Sequence, residues 1–475
     1  MKKLNLLLLT ISLLCVIVSC NNTSDNKQFT LLSSTQTGVD FINELKENNT
    51  MNYFTYPYIY MGGGVSVGDI NNDNLDDIFF TGNMAQNRLY LNKGNLVFDD
   101  ITLSAGVGGN DKWYTGSTMV DINNDGYLDI YVSVAGLDGV KNNELLINNG
   151  DNTFTEMASE YGIDDIGNSV QATFFDYDKD GDLDLYVANY PMTPFDAPSS
   201  YYYYKMQNSE DYETDNLYRN DGSSFKRVTE DAGLRTYGLT LSATVGDLNN
   251  DSYDDIIFWN FDNRSSWSSS DEGYILLSNG SSKIENWTKI PLPAGPFGFD
   301  KNKYNHAAAG DINNDGFMDV VVAITRDLPY YEGAYIQILL NNGLGELIDV
   351  TESSFSDQSR STTHHGEGNI YLRDMNLDGN LDIVHSTRDY NSGYHGSHIA
   401  INDGMGEFTS IENSKLPDKP DPGFNNYDFL MKALPINADD EACLDFISVT
   451  DAGWENNQNE TSNYFFTVLN TNCNF

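Results

Sequence analysis

The chain has 475 residues, with 70 Asp and Glu against 26 Lys and Arg, for a formal net charge of −44. That acidity excludes a nucleic-acid partner, because phosphates are neutralised by Lys and Arg, and it excludes docking on an anionic membrane surface through basic residues. Aromatic residues at 12 %, including 30 Tyr, oppose a disordered chain.

In chain order, Lys2 and Lys3 precede an apolar run over residues 4–18 that closes with Ser19 and Cys20. A basic start and a short apolar core read as a secretory signal, too short to span a bilayer comfortably. Its end resembles a bacterial lipobox, which implies cleavage before Cys20 and lipid on that thiol. Residues 1–19 are therefore read as signal peptide and 20–28 as a polar tether. Residues 29–475 are read as one folded unit. The expected location is the cell envelope, as an outer-membrane or cell-surface lipoprotein anchored through Cys20.

The rest of the chain repeats. The pattern Asp-x-Asn/Asp-x-Asp-Gly-x-x-Asp, followed by an apolar residue, begins at Asp69, Asp121, Asp176, Asp247, Asp311 and Asp374. Positions one, three, five and nine carry oxygen donors in every copy. Loop one offers Asp69, Asn71, Asp73 and Asp77, and loop two Asp121, Asn123, Asp125 and Asp129. Loop three offers Asp176, Asp178, Asp180 and Asp184, and loop four Asp247, Asn249, Asp251 and Asp255. Loop five offers Asp311, Asn313, Asp315 and Asp319, and loop six Asp374, Asn376, Asp378 and Asp382. Hard oxygen donors around a tight turn suit Ca²⁺ better than the stricter octahedron of Mg²⁺. Gly126, Gly181, Gly316 and Gly379 hold the turn at position six, with Asn74 and Ser252 in the other two loops. An EF-hand needs a Glu at position twelve and flanking helices. Position twelve here is Phe80, Val132, Val187, Phe258, Val322 or His385, and the flanks are β-branched and aromatic.

A degenerate seventh copy at Asn437 keeps Asp439, Glu441 and Asp445 but lacks the first Asp and the Gly. Each unit reads as four strands: two flanking the acidic loop, a third ending in an Asn/Gly turn, and a fourth with Phe and Thr before a Gly-apolar pair. Stacked four-stranded units imply an all-β fold, a β-propeller of seven blades. Unit seven lacks a fourth strand, and residues 29–33 carry the missing signature. The N-terminal strand is therefore expected to complete the last blade and close the ring.

These repeats resemble the FG-GAP/VCBS family, whose fold is that of the integrin α-subunit N-terminal β-propeller. The stretches YMGGGVSVGDINND, TGNMAQNRLYLNKGN and QATFFDYDKDGDLDLYVANY are most similar to the propeller of the cartilage-acidic-protein/UnbV-ASPIC group of bacterial lipoproteins. The chain ends with unit seven, so the role of an UnbV/ASPIC module is not carried over. The resemblance implies calcium at positions one, three, five and nine of loops one to six.

Of four cysteines, Cys15 leaves with the signal and Cys20 is the lipid site. Cys443 and Cys473 are expected as one disulfide that staples unit seven in place of calcium, the alternative being two buried thiols.

Metal loops are turns between strands one and two, so long insertions fall at the opposite end. These hold Tyr201, Tyr202, Tyr203, Tyr204, Trp259, Arg264 and Trp267, and His364 and His365, on the approach to blade six, lean to the same end. They read either as an aromatic platform for a glycan or peptide, or as loops that cover one another. His306, His385, His395 and His398 lean to the same end, as a Zn or Cu site or as unrelated polar side chains. HExxH and P-loop motifs are missing, and no catalytic residue is assigned. The function expected is a calcium-stabilised envelope binding or adhesion module for a glycan or protein ligand. The alternatives are a lyase-like polysaccharide enzyme using His365, Tyr304 and Arg264, and a scaffold subunit of an envelope complex. The excess acid disfavours a strongly anionic polysaccharide.

Overall fold

Apolar runs on both sides of each acidic loop fold as antiparallel strands, because the loop turns the chain back on itself. The computed structural model describes residues 29–52, 54–56, 59, 62–137, 141–190, 204, 208, 210–234, 240–260, 274–293, 302–326, 335–356, 370–387, 396–411, 429–437, 444–451 and 462–471. Blade one consists of Val65–Gly68, Asp77–Phe80, Arg88–Asn92 and Phe98–Asp100, hydrogen-bonded in that order. Blades two to six begin with Trp113–Val120, Ser169–Phe175, Thr240–Gly246, Asn302–Gly310 and Ile370–Arg373. They end with Phe154–Glu156, Phe225–Arg227, Thr288–Pro291, Leu347–Asp349 and Phe408–Ser410.

Every residue of the second strands Asp77–Phe80, Asp129–Ala135 and Asp184–Asn189 is buried. Neighbouring sheets pack on both faces of these strands, which is why their sequence is a continuous apolar run and not an alternation. The core lies between blades. Phe79, Leu89 and Leu91 of blade one meet Ile130, Val132 and Leu146 of blade two, and similar layers follow around the ring. Innermost strands are also stitched by hydroxyls: Thr118, Thr173 and Thr244 each donate to a carbonyl of the next blade, at 2.8, 3.1 and 3.1 Å.

Fourth strands are shorter than the sequence suggests. After three residues the chain enters a helical turn, as at Thr102–Ala105 and Thr229–Ala232. The Thr hydroxyl accepts the N–H of the third strand's Leu89 or Leu217 at 2.9 Å, which draws the turn against the sheet. Gly106 and Gly233, both at φ 76, close the turns in the left-handed region.

Seven four-stranded blades were expected, and this is corrected: among the described residues the four-stranded sheets number six. The remaining sheet has five strands, Phe429–Ile436, Asp445–Asp451, Ser462–Thr471, Phe29–Leu32 and Asn43–Leu45. The reason is the length of Ser462–Thr471. Its last residues pair with Phe29–Leu32, while its first residues pair with Asn43–Leu45. Phe29 stands opposite Thr471 as Phe98 stands opposite Asn92 and Phe154 opposite Asn148, so the N-terminal strand takes the fourth-strand place. Ser34–Thr37 then forms the usual helical turn, ended by Gly38 at φ 82. Phe29 packs on Met375, Val384 and Ile399 of blade six, and Val39 and Phe41 pack on Ile78 and Phe80 of blade one. One N-terminal segment thus seals both neighbours of the closing sheet.

A feature not foreseen from sequence lies after it. Among the described residues between Leu45 and blade one, Tyr56 is fully buried. Its ring meets Trp113 edge-on at 5.3 Å, and its hydroxyl lies 3.1 Å from that of Tyr190. No helix among the described residues is long and apolar enough to cross a membrane.

Candidate metal-binding loops

The six acidic loops share one backbone form. Position one accepts the N–H of position five on one carboxylate oxygen and that of position six on the other. In loop two these are Asp125 to Asp121 at 3.0 Å and Gly126 to Asp121 at 2.9 Å. Position five accepts the N–H of position seven, as Tyr127 to Asp125 at 2.9 Å. Position six lies in the left-handed region throughout, including Asn74 at φ 68 and Ser252 at φ 69. Position four does so as well, at Asn72, Asn124, Lys179, Asn250, Asn314 and Leu377. A chain that is left-handed at alternate residues curls so that the side-chain oxygens of positions one, three and five converge.

Position nine has a further role that spacing did not suggest. Asp77, Asp129, Asp184, Asp255, Asp319 and Asp382 are fully buried. Each accepts the N–H of position two on one oxygen, at 2.7 to 3.2 Å. The other oxygen accepts the N–H of the residue at the end of the third strand or, in blade four, just past it, at 2.6 to 2.9 Å. That residue is Asn92, Asn148, Asn220, Ser278, Asn341 or Asn402. Several of these Asn side chains also reach the neighbouring blade: Asn148 donates to the Ile70 carbonyl at 2.8 Å and Asn402 to that of Ile312 at 2.7 Å. The recurring Asn therefore ties blades together besides turning the chain.

Burial pushes these aspartates up, with partial relief from the two backbone donors and a further push from the acids at positions five and one, or five and three in loop three. Asp77, Asp184 and Asp255 rise to about 7, and Asp129, Asp319 and Asp382 to about 6. Each loop therefore holds a buried carboxylate beside other acids.

Loop three is the most acidic. Asp176, Asp178 and Asp184 bring carboxylate oxygens within 4.8 Å of one another, and this is the one such group of three found among the described residues. Oδ1 of Asp178 is buried and has no hydrogen-bond partner. An orphaned carboxylate oxygen among acids fits a hard cation, and so does the all-oxygen donor set of the other loops.

The other predicted residues are less fully placed. Tyr204 is 63 % exposed, and Trp259 lies in the strand Asp255–Asn260 opposite Ser242. Tyr201, Tyr202, Tyr203, Arg264, Trp267, His364, His365, Cys20, Cys443 and Cys473 lie outside the described residues. His306 accepts the Ile370 N–H at 3.2 Å, and His385 is buried in register with His398 on the adjacent strand.

Residues 69–132 and 134–187 match the FG-GAP-like repeat family. No curated protein matches the chain. Among solved structures, AofleA from Arthrobotrys oligospora has a TM-score of 0.38 and 10% identity, covering 74% of this chain and 86% of that chain. BBS1N in complex with ARL6DN has a TM-score of 0.39 and 8% identity, covering 84% and 90% respectively. The V. cholerae biofilm matrix protein Bap1 has a TM-score of 0.31 and 11% identity, covering 86% and 67%. The two family matches run from loop one to the second strand of blade two, and on to the second strand of blade three. This chain is a β-propeller whose residues 69–132 and 134–187 are similar to FG-GAP-like repeats.

Proposed function

We propose that the protein is a calcium-stabilised binding or adhesion lipoprotein of the cell envelope, recognising a glycan or protein ligand with the end opposite its metal loops. The observation that carries the reading is the sixfold loop form, in which the position-one Asp accepts the N–H groups of positions five and six and a buried Asp at position nine lies beside other acids. Positions one, three, five and nine of loops one to six would hold Ca²⁺, which supplies positive charge to each cluster. The role is structural: the loops are turns within blades, and their position-nine acids are tied into the sheets.

The opposite end is favoured for the ligand because insertions gather there. Phe54 is 73 % exposed, Tyr204 63 % and Tyr212 46 %. Rigid rings with polar tips are common anchors for sugars and peptides. The register of Phe29 with Thr471 supports a matching orientation. In the other blades that register lies just past the turn beside the metal loop, so the tether would leave from the metal-loop end. The eight residues between Cys20 and Phe29 reach at most about 28 Å. Lipid on Cys20 would then hold the metal loops toward the membrane and leave the ligand end outward. A Cys443–Cys473 disulfide would staple the closing sheet; peptide mapping that finds both thiols free removes it.

A glycan and protein array probed with the purified chain in calcium tests the reading. Binding without turnover is expected, and labelling at the Tyr204 end should block it. Release of cleaved glycan would replace adhesion by a lyase-like activity, and failure to bind any member would argue for a scaffold role.

A further inference from the structure

The loops share a backbone but not a charge, and two of them depart in opposite directions. In loops one, two, four, five and six, position three is Asn, whose amide donates to the position-five Asp at 2.9 to 3.0 Å. Part of the negative charge at position five is thus satisfied from within. Loop three has Asp178 at that place. It brings a fourth carboxylate, removes the amide donor, and leaves its own buried Oδ1 without a partner.

Lys179, at position four of loop three, does not compensate. Its Nζ donates to the Ser252 carbonyl of loop four and lies 4.1 Å from the centre of the Tyr253 ring. Arg219, the cation that acts on Asp178, is paired with Asp221 at 2.7 Å. A cation therefore rests on loop four. Loop four also carries Ser252 at the left-handed sixth position, where four loops have Gly and loop one has Asn. Adjacent loops have thus gained, respectively, an anion and a cation. Ca²⁺ affinity in oxygen-lined loops follows the number of charged ligands, and a nearby ammonium opposes entry of a second cation.

We infer that the loops take calcium in a fixed order, loop three first and loop four last, set by Asp178 and Lys179. This rests on the calcium reading above. Loop three is expected to bind about tenfold more tightly than the middle group, and loop four several-fold more weakly.

Native mass spectrometry of the full chain, titrated with calcium buffered by a chelator, reads the number of ions bound at each free concentration. One tight step, a middle group and one weak step are expected. Asp178→Asn makes loop three like its neighbours and should abolish the tight step while keeping six ions at saturation. Lys179→Asn should strengthen the weak step and leave the tight one. Asn123→Asp, which gives loop two a fourth carboxylate, should create a second tight step, so the idea does not depend on a loss of function. Six equivalent steps in the unaltered chain, or a tight step that survives Asp178→Asn, would overturn the order. A chain that binds no calcium under any condition would instead overturn the calcium reading itself.

Discussion

At position nine the acid does two jobs, and only one was legible. The spacing of Asp77 from Asp69 marked it as an oxygen donor, because that motif is local. Its clamp on Ile70 and Asn92 was not legible, since Asn92 comes from another strand and meets it only in the folded blade. The clamp has a pH consequence. Burial holds these carboxyls at about 6 to 7 in the folded chain, against 3.8 for an unperturbed aspartate. Without metal, the folded chain binds more protons than the unfolded chain between those values. Stability from these groups is therefore greatest at the acid end of that window and falls as pH rises through it. In chelator, the melting temperature at about pH 5.5 should exceed that at about pH 7.5. With calcium bound the sign should reverse, because protons then compete with the metal. Ser252 gives a second test at this scale. Its φ of 69 penalises a Cβ, so Ser252→Gly should stabilise the protein by about 1 kcal/mol in denaturant titration.

Strands two and three were readable because burial on both faces demands an unbroken apolar run. The fourth strands were only half readable. Phe98 and Thr102 mark the right segment, but the Thr faces a backbone N–H and belongs to a helical turn. Asn43–Leu45 was missed because Asn43 looks exposed in sequence. It is buried, with its amide donating to Asn83 at 2.7 Å and its carbonyl oxygen accepting the Asn83 N–H at 2.9 Å. The closing strand was found because the Phe29 to Gly38 signature repeats that of the fourth strands of blades one, two and three. Phe29 has no exposed surface and packs on blade six. Phe29→Ala should therefore cost roughly 3–5 kcal/mol of unfolding free energy. A surface change such as Thr35→Ala, in the exposed part of the turn that follows, should cost little by the same measurement.

Over the whole molecule, repetition made the propeller legible, and sequence departures within the repeat carried its individuality. The number of four-stranded blades was overcounted because no local signal shows that Ser462–Thr471 is long enough to serve two partners. The segment around Tyr56 was invisible because its contacts with Trp113 and Tyr190 lie far apart in the chain. The charge of −44 also takes on a meaning that composition alone could not give. Much of it is gathered in loops whose acids crowd one another, so ring stability should depend on a cation. Scanning calorimetry of the chain in calcium and in chelator at neutral pH tests this most directly. A large rise in melting temperature with calcium, saturating as the loops fill, is the predicted result. The same melting temperature in calcium and in chelator would contradict it.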